Sequence, residues 1–473
     1  MRTAAITLTL VLTISGAQAI EPPQADFYVA TTGDDANDGS RDRPFATPVR
    51  AQRAVRSLIA AGLNRNVTVL LRGGEYMLGE PLRFGPEDSA TERYSITYAA
   101  SPGEQVVLSG GRVLSGWKKG VGNRWTLFLP EVQAGRWWFR QLFADGERLP
   151  RARFPNRGSL LTVESVSADV QTIGFREPLA QADLNDGSAE LVMVQNWSIS
   201  RALIKSSTDD AVTTMTPIGW IGHGPATTAS PGKPAYLEHA EGFLDQPREW
   251  FLDRKRGLLS YLAVPGEDPN AGRFIAPALP LLVQVDGRSA APVRRIVFRG
   301  LTFAHSAWPL PVVGYSGIQA GHYGAKMGAR TYVLPPALRF TYAEGCRLER
   351  CRVAHTGATG IGFGAGCRRS VVSGCDLLDI GGNGVMVGWR GGIADSPLDC
   401  QQGDPSLAAD WRRPEQVPVG NEVSNNTIRR CGAVNHGCVG IFAAFCAETN
   451  IAHNLVADMP YTGISIGFRW DES

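Results

Sequence analysis

Cys351-Arg352-Val353-Ala354-His355-Thr356-Gly357-Ala358-Thr359-Gly360-Ile361 is followed 24 residues later by Cys375-Asp376-Leu377-Leu378-Asp379-Ile380-Gly381-Gly382-Asn383-Gly384-Val385. The pattern returns in Asn426-Thr427-Ile428-Arg429-Arg430, which runs on to Gly440-Ile441. It returns again in Asn454-Leu455-Val456-Ala457-Asp458-Met459-Pro460-Tyr461-Thr462-Gly463-Ile464. Leu301-Thr302-Phe303-Ala304-His305 is an earlier partial copy. A 24-residue period is the length of one coil of three short strands joined by turns. A single coil cannot bury its apolar face, but stacked coils share a continuous core. In that alignment Val353, Leu377, Ile428 and Val456 stack inward. Cys351, Cys375, Asn426 and Asn454 form one ladder, and Thr359, Asn383 and Thr462 another. Glycine supplies the positive-φ turns. A β-sandwich needs no such shared register. The pattern therefore predicts an all-β fold, a right-handed parallel β-helix of the pectate-lyase-like solenoid type.

Working outward, the coils occupy residues 273–473. Before them, residues 114–272 lack a short repeat and carry longer alternating strands such as Trp125-Thr126-Leu127-Phe128-Leu129 and Glu249-Trp250-Phe251-Leu252. This reads as an inserted β-rich module. Residues 20–113 resume the short-strand pattern, with strands at 27–30, 67–71, 95–98 and 106–108. Residues 47–61 read as an amphipathic helix, with Val49, Ala54, Val55, Leu58 and Ile59 on one side, suited to capping the open end of the stack. The Asp/Asn/Gly-rich loop 31–40 reads as a set of Asx turns. It lacks the spacing and terminal Glu of an EF-hand, so neither a metal nor a cofactor is expected.

Residues 1–19 read as an export signal. Arg2 precedes an apolar stretch over 4–14, and Ala17-Gln18-Ala19 offers small residues at the cleavage site. The stretch is short of the ~20 residues that span a bilayer. Secretion or a periplasmic location follows, with no membrane span. The 473-residue chain holds 47 basic and 45 acidic residues, for a net charge of +2. That balance gives no electrostatic case for nucleic acid. With 54 Gly, 11 Trp and 11 Tyr, it suits a polar, weakly charged partner such as a polysaccharide or oligosaccharide, bound by a monomer. All eight cysteines lie between Cys346 and Cys446. Export permits pairing, but clustering within the repeat favours mostly unpaired stacking in the core.

Two long excursions leave the repeat, over residues 306–336 and 390–418, and loops of that length in a regular array are commonly functional. The first carries Trp308, Tyr315, Gln319, His322, Tyr323 and Lys326. The second carries Asp395, Asp399, Cys400, Asp404, Asp410 and Trp411, and Trp389 stands at its start. Exposed indole faces at Trp308, Trp389 and Trp411 would stack on sugars, with Tyr315, Gln319 and His322 beside them as substrate-binding candidates. Each tryptophan taken alone is more often a packing residue.

The chain resembles right-handed parallel β-helix glycosidases, in particular glycoside hydrolase family 141. The resemblance rests on Phe27-Tyr28-Val29-Ala30 and its Asp/Gly loop, and on the run from Arg140-Gln141-Leu142-Phe143 through Arg151-Ala152-Arg153-Phe154-Pro155. It continues in Glu249-Trp250-Phe251-Leu252-Asp253, Gly300-Leu301-Thr302-Phe303, Tyr315-Ser316-Gly317-Ile318-Gln319-Ala320 and Tyr461-Thr462-Gly463-Ile464-Ser465-Ile466-Gly467. It covers nearly all of the chain after the export signal, including the module, which looks like that family's insertion domain. It implies hydrolysis of fucosides or xylosides in complex polysaccharide. Family members continue for several more coils, where their acidic pair is expected. This chain ends at Arg469-Trp470-Asp471-Glu472-Ser473, so its coils read as incomplete and the family's catalytic positions find no counterpart here.

Glycoside hydrolysis commonly uses two carboxyl groups, ~5–5.5 Å apart for retention and ~6.5–9.5 Å for inversion. The repeat offers one column: His355, Asp379, Arg430 and Asp458. With coils ~4.8 Å apart, Asp379 and Asp458 stand roughly 10 Å apart. Arg430 between them would depress both carboxyl groups and oppose a general-acid role. His355 beside Asp379 is the better local pair, since a carboxylate can orient an imidazole for proton transfer. The same column also reads as a structural polar ladder. A non-catalytic glycan-binding protein and a polysaccharide lyase are the alternative functions. A lyase would have to draw its base from Arg or His, because Lys326 is the only lysine after Lys255.

Overall fold

The computed structural model describes residues 25–180, 182–184, 187–220, 226–321, 325–327, 330–389 and 412–467. The protein is all-β, built mainly of parallel sheets. Three of these run side by side, of eight, seven and seven strands. The chain visits them in turn. Arg347–Glu349 lies in the first, Arg352–Thr356 in the second and Thr359–Phe363 in the third. The next round is Val371–Ser373, Asp376–Ile380 and Val385–Val387. Every strand pairs in parallel with its counterpart one round later.

The registers match the sequence alignment. Val353 faces Leu377, Leu377 faces Ile428, and Ile428 faces Val456. Leu108 and Phe303 extend the same column upstream. Its members from Leu108 to Ile428 are buried, so each round continues the apolar surface of the one before. The polar ladder is satisfied along its length. The Cys375 N–H donates to Asn426 Oδ1 at 2.8 Å, and the Asn426 N–H donates to Asn454 Oδ1 at 3.0 Å. The seven described cysteines are all free, and six of them are buried, as unpaired stacking requires. Cys400 lies outside the described residues.

At one end a helix, Pro48–Ala60, lays Ala51 and Val55 over the core. Thr47 caps it by accepting the Arg50 N–H at 3.1 Å. The loop aspartates engage nearby backbone: Asp34 accepts from Ala36, Asp35 from Ala46 and Thr47, and Asp38 from Ser40. At the other end Asn450–Ala452, Leu455–Ala457 and Ile464–Ile466 pair on one side only among the described residues. Leu455, Ile464 and Ile466 are exposed there.

Between Val106–Ser109 and Val283–Asp286 the chain leaves the parallel sheets. The break costs the stack nothing in register, for Val106 pairs with Leu301 across the excursion. The exit strand Gly111–Leu114 pairs antiparallel with the return strand Phe274–Pro277. What lies between is antiparallel sheet around two cores, one of Trp117, Trp125, Trp250 and Tyr261, the other of Leu161, Leu191, Leu237 and Phe243. The module folds back on the stack. Its strand Ile199–Ser207 pairs with Tyr315–Ser316 of the first excursion, and the Trp220 Nε1–H donates to the Ser316 carbonyl at 2.6 Å.

Candidate functional site

The column foreseen from the repeat forms. The register places His305 beside His355, then Asp379, Arg430 and Asp458. All five take positive φ, between 51° and 62°. Side chains other than glycine rarely adopt that region, and His and Asp are among those that do. Each therefore marks a corner in the strand of its round, and the ladder skips it.

His355 Nδ1 lies 2.9 Å from Asp379 Oδ2. An ionised carboxylate can only accept, so it selects the Nδ1–H tautomer and leaves Nε2 as the acceptor. The His305 ring stacks on His355 with centroids 5.4 Å apart, and Phe143 of the module packs against both rings. His305 Nδ1 is 2.9 Å from Ser109 Oγ. Burial, aided by the neighbouring His355, pushes the His305 pKa down to about 3, so that ring is neutral near pH 7.

Arg148 is the participant that the repeat could not reveal. It comes from the module, 231 residues from Asp379 in sequence, and its Nε donates to both carboxylate oxygens at 3.0 and 3.2 Å. Its Nη2 reaches the Thr356 and Asp379 carbonyls. Burial works to raise the Asp379 carboxyl pKa. The Arg148 charge and the hydrogen bonds from His355 and Arg148 overcome it and hold the group well below the usual carboxylate range. The cation that fixes the charge of Asp379 is thus Arg148, where the sequence pointed to Arg430. Asp379 cannot serve as a proton donor near neutral pH. Asp458 lies at the open end of the column and is exposed.

The aromatic candidates are corrected in one respect. Trp308, Tyr315 and Trp389 are only 4%, 2% and 0% exposed, so none offers a free face to a sugar. Trp308 and Tyr315 stack edge to face at 5.6 Å between the module and the coils, and Trp389 joins Met386 and Phe442. A loop held between two bodies buries its aromatics on both sides. Gln319 is half-buried and donates to the Tyr461 hydroxyl at 2.9 Å. His322 and Trp411 lie outside the described residues, as do Tyr323 and the acidic run from Asp395 to Asp410.

Arg148 also lines a cleft of about 590 Å³ at the junction of module and stack. Below it Glu190 is enclosed by Arg140, Arg151 and Arg201. Glu238 shares Arg151 and Arg201 at 3.2 and 2.8 Å. Burial opposes ionisation of both glutamates, but these guanidiniums hold each below its ordinary pKa. The sequence offered one signal for this cluster: residues 148–157 hold four arginines in ten positions.

Comparison with known proteins supports a glycoside hydrolase-like protein, with a module similar to the insertion domain of family 141. The model of the family 141 insertion domain matches residues 122–264. A solved glycoside hydrolase superposes with a TM-score of 0.81 at 27% identity, over 94% of this chain and 80% of that one. XylC, solved in complex with xylose, shares the fold at a TM-score of 0.50 and 15% identity, over 93% of this chain and 59% of its own. Among curated proteins none matches by sequence. No described helix is long and apolar enough to cross a membrane.

Proposed function

We propose that the protein is an exported, monomeric glycoside hydrolase acting on complex polysaccharide, with fucoside or xyloside linkages as its targets. Residues 1–19 direct export to the periplasm or medium. Residues 20–113 form the cap and first coils, 114–272 the insertion module, and 273–473 the later coils of a right-handed parallel β-helix. The observation that carries the reading is the solved glycoside hydrolase that matches stack and module together at a TM-score of 0.81.

In this reading Asp379 is a positioning residue. Ionised and clamped by Arg148, it holds the His355 Nδ1–H and so fixes the orientation of the imidazole. Asp458 supplies the second carboxylate of the column. The test measures reducing ends released from fucosylated glycans and xylan by the full chain. His355→Ala and Asp458→Asn should each lower kcat by roughly 100-fold or more, the usual contribution of a general acid or base. Asp458 is exposed, so its variant keeps the fold. Unchanged turnover in both variants overturns the assignment. The Arg148 clamp favours a second reading, glycan binding without hydrolysis, because it removes Asp379 as a proton donor. Binding with no release of reducing ends identifies that case, and a product absorbing in the ultraviolet identifies a lyase.

A further inference from the structure

The near-neutral balance of the whole chain hides one strongly basic face. Three successive rounds of the first sheet, with the corners that enter and leave it, span residues 294–300, 343–350 and 367–374. They hold seven arginines, two glutamates and no Asp, Lys or His. That is an excess of five positive charges in a chain whose net charge is +2. The two rounds that follow bring Glu422 and Glu448 and no arginine over 419–425 and 447–453, so the patch has an edge. The module does not meet the stack here. Its Phe143 and Arg148 pack at His305, His355 and Asp379, beyond the strands of the second sheet. Within the patch each glutamate is shared. Glu344 serves Arg294 at 3.1 Å and also Arg369, and Glu349 serves Arg299 at 2.8 Å and Arg347 at 2.6 Å. The side chains of Arg299, Arg347 and Arg369 remain 43%, 43% and 69% exposed. Arg295 and Arg350 are exposed and have no acceptor among the described residues.

A second observation is independent of the charge count. Arg295, Arg350 and Arg369 take positive φ, at 52°, 51° and 49°. Long side chains adopt that backbone only at a cost, and glycine adopts it freely. Glycine does stand beside each of them. A Cβ placed at Gly345, Gly374 or Gly420 would lie 3.5, 3.4 or 3.6 Å from the Cγ of Arg295, Arg350 or Arg369. The two residue types alternate along the corners, and each arginine stem lies over the bare glycine of the next round. For Arg295 and Arg350 no internal ion pair offsets the backbone cost. The face is also free of apolar anchors, since none of the exposed large hydrophobic side chains belongs to these rounds. Whatever it binds is held by charge. Rounds lie ~4.8 Å apart and strands rise ~3.3 Å per residue, so the guanidiniums cover an area and do not follow one line. Guanidinium forks match the oxygens of a phosphate.

We infer that this face docks the protein on an anionic lipid surface, with its guanidiniums meeting lipid phosphates. An area of cations without apolar anchors fits an array of headgroups, held at the surface and not inserted. The inference does not depend on the hydrolase reading, because it uses none of the residues of the His355–Asp379 column.

The test is co-sedimentation of the full chain with vesicles of phosphatidylglycerol and phosphatidylcholine in equal parts, and with vesicles of phosphatidylcholine alone. The anionic vesicles should bind the protein at low salt and release it at high salt, where exposed charges are screened. The neutral vesicles should not bind it. Arg295→Gly and Arg350→Gly should each weaken partitioning about fivefold, and together roughly 25-fold. Glycine suits the backbone of both corners, so these variants keep the fold. Arg157→Ala, an exposed arginine of the module, removes the same charge elsewhere and should bind as the parent does. Equal binding to neutral vesicles, full binding by the double variant, or an equal loss in Arg157→Ala overturns the inference. Soluble polygalacturonate and duplex DNA serve as competitors. Tighter binding of either at Arg295 and Arg350 also overturns it, since the partner is then a polymer and not a lipid surface.

Discussion

In the coil stack, a buried column repeats one kind of residue: Leu108, Phe303, Val353, Leu377 and Ile428 lie in register, each closing over the last. Where the module meets the stack, the buried groups are unlike and charged: Glu190 among Arg140, Arg151 and Arg201, and Asp379 between Arg148 and His355. The first arrangement depends on area removed from water and tolerates exchange of one apolar side chain for another. The second depends on every partner being present, because a buried charge without its counterion is expensive. Stability of the body is therefore distributed over many coils. Stability of the junction, where the candidate site lies, is concentrated in a few groups. A surface that must receive a ligand needs polar groups in fixed places, and the module adds Arg148 to the stack's own His355 and Asp379.

Single substitutions break this contrast most directly. Glu190→Ala leaves three buried arginines around an empty position, and loss of one partner from a buried ionic group costs on the order of 3–5 kcal/mol. It should release the module first, seen as early proteolysis within residues 114–272 while the coils stay protected. Leu377→Ala should cost about 2–5 kcal/mol, the range for truncating a buried leucine. Its effect should fall on the global urea transition, with no selective cleavage of the module. If the two variants unfold through the same transition with the same protease pattern, module and stack are one cooperative unit and the contrast fails.

The same division explains what could be read from the sequence. Every round of the stack contacts the next, so the coil register is a local property. Four aligned copies were enough to place Val353 over Leu377 and to put His355, Asp379, Arg430 and Asp458 in one column. The helix, read over 47–61 and found at Pro48–Ala60, was legible from its apolar spacing. The Arg148–Asp379 pair was not legible, because nothing periodic relates residues 231 positions apart. Nor was the burial of Trp308, Tyr315 and Trp389. A tryptophan in a long loop looks alike in sequence whether it meets solvent or a second body, and here the module closes over the first excursion. Glu190 opens the otherwise apolar strand Glu190–Val194, and only the fold brings three arginines to it.

Glu249 gives the smallest and most selective probe of the module. It is 3% exposed, and burial raises its pKa from 4.5 to about 7, against the opposing hydrogen bonds from the Gln246 and Asp245 N–H groups. Between those two pH values the native protein holds a proton that the unfolded chain has released. Stability therefore falls as pH rises through that window, and the whole penalty is present above about pH 7. At about 1.4 kcal/mol per pH unit, the shift from 4.5 to about 7 sets a ceiling of roughly 3 kcal/mol. Glu249→Gln keeps an oxygen for the two N–H donors and removes the ionisation. Its Tm should equal that of the parent near pH 4.5, exceed it increasingly up to about pH 7, and hold that difference at higher pH. A Tm difference independent of pH would show that Glu249 is ionised in the fold. The pH dependence of the module would then come from the Glu190 cluster, which must lose stability in the opposite direction, as acid protonates a carboxylate that its arginines hold charged.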